Sequence, residues 1–176
     1  MLFRSRAAGA RTSIDLNYRV KLWSQTEAGR WMSEFMPLCD VLITTEEDTE
    51  RVFGIKGKDY EDVSAQLVRK FGLKTVAITL RENPLVWKNT WTAIAYENGN
   101  VLRTRTYEVE IVDRLGAGDS FAAGLIHGLL DKDLQKGLDY GVAASAIKHS
   151  IPGDFAWITR EEVAGLLKGP GLRISR

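Results

Sequence analysis

The sequence has little cysteine, histidine or proline, and it has no long apolar run. Its one cysteine, Cys39, cannot form an internal disulfide. The thiol follows the apolar stretch Phe35-Met36-Pro37-Leu38, which predicts a buried, inert group and, by default, a reducing cytoplasmic setting. The two histidines, His127 and His149, lack metal-ligand spacing with each other or with Cys39, so no zinc site is expected. No apolar stretch approaches membrane-spanning length, and the basic start from Met1 to Arg11 holds no apolar core of a secretory signal. Net charge is almost absent as well. At +1 there is no electrostatic case for binding nucleic acid or an anionic membrane.

What the 176 residues do contain is a full globular composition, 44 % hydrophobic and 27 % charged, which excludes disorder and predicts one domain over residues 1–176. Strand patterns cover Arg11–Asn17, Asp40–Thr44, Lys74–Leu80, Thr90–Glu97 and Val101–Glu110. Helix patterns cover Gln25–Met36, Glu46–Phe53, Tyr60–Phe71, Asp119–Leu130, Leu134–Ser150 and Arg160–Leu167. Thr159 with Glu162 has the spacing of a capping box, as has Thr45 with the shorter Asp48, and Gly72 suits a helix end. Strand and helix alternate through the first half, which predicts a parallel sheet covered by helices. Asn98-Gly99 between two alternating runs predicts a hairpin that adds antiparallel strands. Trp87, Trp91 and Trp157 are expected to pack in the core or the hairpin.

The most unusual stretch is Asp113-Arg-Leu-Gly-Ala-Gly-Asp-Ser-Phe121. Gly116, Ala117 and Gly118 remove side chains where a helix begins, and an anion can then approach the unpaired N–H groups of the first turn. Asp119 would repel a phosphate unless it has its own task, and accepting a proton from an attacking hydroxyl is one. The plainer reading makes Asp119 an ordinary N-cap. A second constellation is Ser13-Ile-Asp-Leu-Asn-Tyr-Arg19. As a strand it would put Asp15, Asn17 and Arg19 on one face, where a guanidinium can bind a carboxylate through both oxygens. An exposed edge strand with a polar face accounts for the same pattern.

Asp-Arg-Leu-Gly-Ala-Gly-Asp-Ser-Phe resembles the signature Asp-Thr-x-Gly-Ala-Gly-Asp-Ser-Phe of the ribokinase-like, or PfkB, family of sugar kinases. Asp15-Leu-Asn-Tyr-Arg-Val-Lys-Leu-Trp23 and Lys148-His-Ser-Ile-Pro-Gly-Asp154 are similar to runs of the 2-keto-3-deoxygluconate kinases within it. The resemblance implies a ribokinase-like α/β fold, a three-layer sandwich with a mostly parallel sheet flanked by helices. It implies that Gly116, Ala117 and Gly118 form the anion hole and that Asp119 is the catalytic base. Asn17, Arg19 and Asp154 would bind the sugar acid. Thr79, Arg81, Gly116, Gly118 and Ala144 would contact ATP, although Arg81 reads equally as a surface arginine and the thin Gly141–Ala146 face that holds Ala144 is explained equally by close helix packing. Asp48 would help to hold Mg2+ through water, where the family commonly has an Asn-x-x-Glu region.

Family members are considerably longer, so the resemblance implies a C-terminal portion without the N-terminal half and sugar-covering lid, and an exposed sheet edge that favours homo-oligomers. The expected reaction is ATP-dependent phosphorylation of 2-keto-3-deoxygluconate to its 6-phosphate. Two alternatives stay open: a kinase for fructose or ribose, and a non-catalytic nucleotide-binding or assembly protein.

Overall fold

The computed structural model describes residues 2–85 and 87–169. They fall into two compact units, each described by itself. One takes in the chain up to Thr79 with Ile94–Leu102. The other takes in Leu80–Ala93 and the chain from Arg103 onward.

In the first unit three strands run parallel: β1 (Ser13–Asp15), β2 (Val41–Thr44) and the start of β3 (Thr75–Leu85). Ser13 stands opposite Val41, and Val41 opposite Thr75. All four residues of β2 are buried, so the strand is a continuous buried run, apolar except for Thr44, rather than an alternating one. The intervening helices are α2 (Gln25–Phe35), a 3-10 turn at Met36–Leu38, α3 (Glu46–Phe53) and α4 (Tyr60–Phe71). Thr45 caps α3 by accepting the Asp48 N–H at 3.1 Å, and Gly72 ends α4 as expected. Ser24 and Glu27 form a complete capping box on α2, with a spacing that was legible in the sequence. Asn98 and Gly99 both adopt positive φ, 53° and 80°, and make the tight turn between β4 (Lys88–Glu97) and β5 (Asn100–Arg103). Cys39 is buried, and burial pushes its thiol pKa up, consistent with an inert group.

The second unit carries the rest. The first half of β4 pairs antiparallel with β6 (Tyr107–Glu110), with Lys88 opposite Glu110 and Trp91 opposite Tyr107. Helices α5 (Ala117–Leu130), α6 (Leu134–Lys148) and α7 (Arg160–Lys168) follow. The small residues of α5 and α6 let the two backbones touch. A Cβ on Gly124 would stand 2.5 Å from the Gly141 nitrogen, and one on Gly128 would stand 2.1 Å from the Gly137 nitrogen. Ser145 donates to the Ala117 carbonyl at 2.8 Å, fastening α6 to the first turn of α5.

Several sequence expectations are corrected. The first strand ends at Asp15, not Asn17, because Asn17 turns the chain at φ 39°, a region Asn tolerates better than most residues. The run from Val101 to Glu110 is two strands. Its break falls where the Thr104 hydroxyl meets the Thr92 hydroxyl at 3.0 Å and takes the Ala93 N–H at 3.2 Å. The third strand continues five residues beyond Leu80, to Leu85, and a short helix α1 (Leu2–Ala7) was not expected. Trp91 is buried, but Trp87 is 59 % and Trp157 76 % exposed, so two of the three tryptophans are not core residues. No helix among the described residues is long and apolar enough to cross a membrane.

Candidate active site

The second unit builds its candidate site at the start of α5. Gly116 is the N-cap, in the left-handed region at φ 73°, and no side chain caps the helix. The plain reading of Asp119 as the N-cap is therefore set aside. Asp119 stands two residues inside the helix, exposed, with Ala117 and Gly118 before it. Gly116 and Gly118 are bare for different reasons. A Cβ on Gly116 would lie 2.3 Å from the Asp154 carbonyl oxygen, so packing alone demands glycine there. A Cβ on Gly118 would meet nothing within 4 Å. The space above Gly118 is left open by the protein, next to helix N–H groups that carry partial positive charge.

Under this loop lies the turn at residues 151–154. Lys148 closes α6, is fully buried, and donates from Nζ to the carbonyls of Ile151 (2.9 Å) and Gly153 (2.7 Å). Asp113 takes the other side of the turn, accepting the Gly153 N–H at 2.8 Å and the Leu115 N–H at 3.0 Å. The Leu115 and Gly153 N–H groups hold its carboxyl below the usual range, with the Lys148 charge as a lesser aid. The Asp154 side chain is exposed, and it is the backbone carbonyl of this residue that packs against Gly116.

His149 is buried beside the same turn. Its Nδ1 is 2.7 Å from the Ser145 carbonyl, and its ring lies 5.1 Å from that of Trp91. Burial is the main cause that pushes its pKa down. The Ser145 carbonyl opposes the shift, and the charges of Arg114, Lys148 and Arg81 add to it. The sign for stability follows. A histidine with a depressed folded pKa contributes stability present above its unfolded value, near 6.5, and lost as pH falls through the lowered folded value. Thermal unfolding measured from pH 7.5 to 5 should show the midpoint falling below about pH 6.5, and the fall should be smaller in His149→Phe. An unchanged slope in that variant contradicts the assignment.

A cleft of about 340 Å³ opens between α5, α6 and the segment that leads into α7, lined in part by Ser120, Ala123, Gly124, Tyr140, Ala144 and Ile158. Ala144, expected to face a nucleotide, is one wall of it. Ser120, one residue after Asp119 in α5, is another part of its wall. Arg81 is exposed and near enough to His149 to act on it electrostatically.

The first unit holds the remaining expected residues. Burial still alternates from Leu16 to Arg19, with Leu16 and Tyr18 inside and Asn17 and Arg19 outside, although the strand has ended. Arg19 donates to the Tyr18 carbonyl at 3.2 Å, and its charge reaches Asp48. Asp48 is half-buried, and burial raises its pKa against the Thr45 hydrogen bond and the Arg19 charge. Thr79 is half-buried on β3. Among the described residues no three metal-ligating side chains come together.

Sequence reasoning missed Lys148 as part of this structure. Its signal was a lysine in line with Gly141, Ala144 and Ser145, on the buried stripe of an otherwise small-residue helix.

Known proteins resemble this chain over most of its length. The model of the pfkB family carbohydrate kinases matches residues 2–155. The 2-dehydro-3-deoxygalactonokinase of Haloferax volcanii is 32 % identical over 177 residues, covering 100 % of this chain and 53 % of that protein. The crystal structure of 2-dehydro-3-deoxygluconokinase from Thermotoga maritima superposes with a TM-score of 0.90 at 44 % identity, covering 96 % of this chain and 53 % of that one. A ribokinase II from E. coli in complex with ATP and Mg2+ shares the fold at a TM-score of 0.77 and 23 % identity, covering 94 % and 51 %. The chain spans about half the length of the relatives it matches. With a family match over most of its length, a glycine-capped helix bearing Asp119 and a ribokinase-like α/β sheet, the chain belongs to the pfkB family of carbohydrate kinases.

Proposed function

We propose that residues 1–176 are the C-terminal nucleotide-binding and catalytic portion of a sugar kinase that transfers the γ-phosphoryl group of ATP to a hydroxyl of 2-keto-3-deoxygluconate, giving the 6-phosphate and ADP. The observation that carries this reading is the bare first turn of α5. Gly118 is free of side-chain contact for no packing reason, and Asp119 stands beside it without a capping task. In this scheme the loop amides of Gly116–Gly118 hold the charge of the transferred phosphoryl group. Asp119 takes the proton that the attacking hydroxyl loses.

The cleft against Ala144 has the size and mostly apolar lining for a purine ring, and in this scheme the nucleotide's phosphates reach the glycine loop. Thr79 and Arg81 at the middle of β3 serve the same nucleotide. Mg2+ travels with the ATP phosphates and their waters, and Asp48 acts only through such water. Arg19 and Asn17 hold the sugar acid, and Asp154 takes one of its hydroxyls. The names of the two acid-sugar kinases above favour this substrate over fructose or ribose. The setting is cytoplasmic, and exposed apolar side chains such as Val20, Leu22, Leu115 and Leu130 favour a homo-oligomer.

The test is ATP-dependent phosphorylation of 2-keto-3-deoxygluconate and of fructose, by this chain alone and joined to the N-terminal half of the Thermotoga maritima kinase. Arg19→Ala should raise KM for the acid sugar by about ten- to hundredfold, the value of a charge-assisted contact, and leave fructose unaffected. Equal loss on both sugars removes Arg19 from substrate recognition. A second reading is a nucleotide-binding or assembly protein without turnover, favoured by the half-length match. ATP binding without phosphorylation in either form supports it.

A further inference from the structure

The buried charge that the proposed chemistry leaves unused is Lys148. Its residue is 0 % exposed, and among the described residues its ammonium donates to the backbone carbonyls of Ile151 and Gly153. No salt bridge to it occurs among the described residues. Removing an ammonium from water costs several kcal/mol, and a methionine of similar length would fill the same volume without that cost. Packing therefore does not select lysine at this position. Its charge does something.

What it touches indicates what that is. The two carbonyls belong to the turn that carries Asp154, and the Asp154 carbonyl stands against Gly116, at the N-cap of α5. Lys148 Cε itself is 3.3 Å from the position a Gly116 Cβ would take. Asp113 pulls on the same turn from the opposite side through the Gly153 N–H. A cation on two carbonyls and a carboxylate on an amide leave the turn little freedom. We infer that Lys148 is a positioning residue, a fixed internal cation that clamps residues 151–154 beneath Gly116 and so sets the phosphoryl-binding geometry of the glycine loop. Its charge, hydrogen-bonded to carbonyl dipoles and felt more weakly by the Asp113 carboxylate, also adds to the positive end of α5 and favours a polyphosphate there.

The inference rests on the proposed phosphoryl-binding reading, and the experiment separates the two. Hydrogen exchange at the Gly153 and Ser120 amides is measured without ligand in the whole chain, and ATP affinity is measured by calorimetry, for wild type, Lys148→Met and Lys148→Ala. Both variants should exchange faster at Gly153 and bind ATP about ten- to hundredfold more weakly, the range for hydrogen bonds to a charged group. Methylammonium should restore Gly153 protection and ATP affinity to Lys148→Ala, while methanol at the same concentration should not.

Wild-type exchange and affinity in Lys148→Met overturn the inference. So does equal rescue by methanol, because the charge then has no part. If both variants unfold and methylammonium does not restore them, Lys148 is structural and the inference fails. If wild type itself binds no ATP, the functional reading fails, while Gly153 protection and its methylammonium rescue still decide the role of Lys148.

Discussion

Gly116→Ala should destabilise the chain by about 2–5 kcal/mol and remove nucleotide binding with it. Two costs add. An alanine at φ 73° meets the left-handed penalty of roughly 1–2 kcal/mol. Its Cβ also lies 2.3 Å from the Asp154 carbonyl oxygen, a backbone atom, so the 151–154 turn must move, at about 1–3 kcal/mol for overpacking. For a chain of this size that corresponds to a fall of roughly 5–15 °C in the unfolding midpoint. The turn is gripped by Lys148 and Asp113, so a displacement there is passed to both. Calorimetric unfolding with and without ATP checks the result. A midpoint within 2 °C of wild type, on that scale, would mean that the contact between Gly116 and Asp154 is not formed.

Asp119→Asn should lower kcat for sugar phosphorylation by about 10²–10⁴-fold while leaving ATP affinity within about threefold. The side chain is exposed and takes no part in capping α5, so its replacement removes little structure. Loss of an acid from the first helical turn costs about 0.3–1 kcal/mol at most. Asparagine keeps the shape and cannot accept the hydroxyl proton. The effect therefore belongs in kcat rather than in binding. The assay is the phosphorylation measurement in the joined form, with ATP affinity measured on the same preparation. Turnover that survives in Asp119→Asn moves the base to another residue.

How much of this was legible in the sequence depended on whether local chemistry decided the outcome. The Asn98-Gly99 turn, the Thr45 and Thr159 caps and the Gly72 helix end are set by residues within four positions, and each was readable. The Gly116–Asp119 stretch was readable as a bare helix start because its spacing is local too. Its two glycines could not be told apart, since the reason for Gly116 is a carbonyl 38 positions later in the chain, that of Asp154. Lys148 stood out in the sequence only as the first residue of the Lys148–Asp154 run, with no role of its own. The helical stripe it shares with Gly141, Ala144 and Ser145 hinted at its burial, but the turn whose carbonyls it meets is not part of any helical pattern. Periodicity also ran past Asp15, because Leu16 and Tyr18 remain buried after the strand has turned away at Asn17. Trp157 was misplaced for the opposite reason. Large aromatics are usually buried, and this one lies on the surface against Phe155, with ring centroids 6.0 Å apart.

The central claim is that the first turn of α5 is bare for a phosphoryl group and not for packing. Gly118→Ala tests it most directly, with unfolding midpoint and ATP affinity measured on one sample. Because the added methyl meets no protein atom within 4 Å, stability should hold or rise by about 0.5–1 kcal/mol, the helical advantage of alanine over glycine. ATP affinity and phosphoryl transfer should nevertheless fall at least about tenfold, as the methyl enters the space reserved for the anion. Unchanged affinity and turnover in a stable Gly118→Ala protein would contradict that claim.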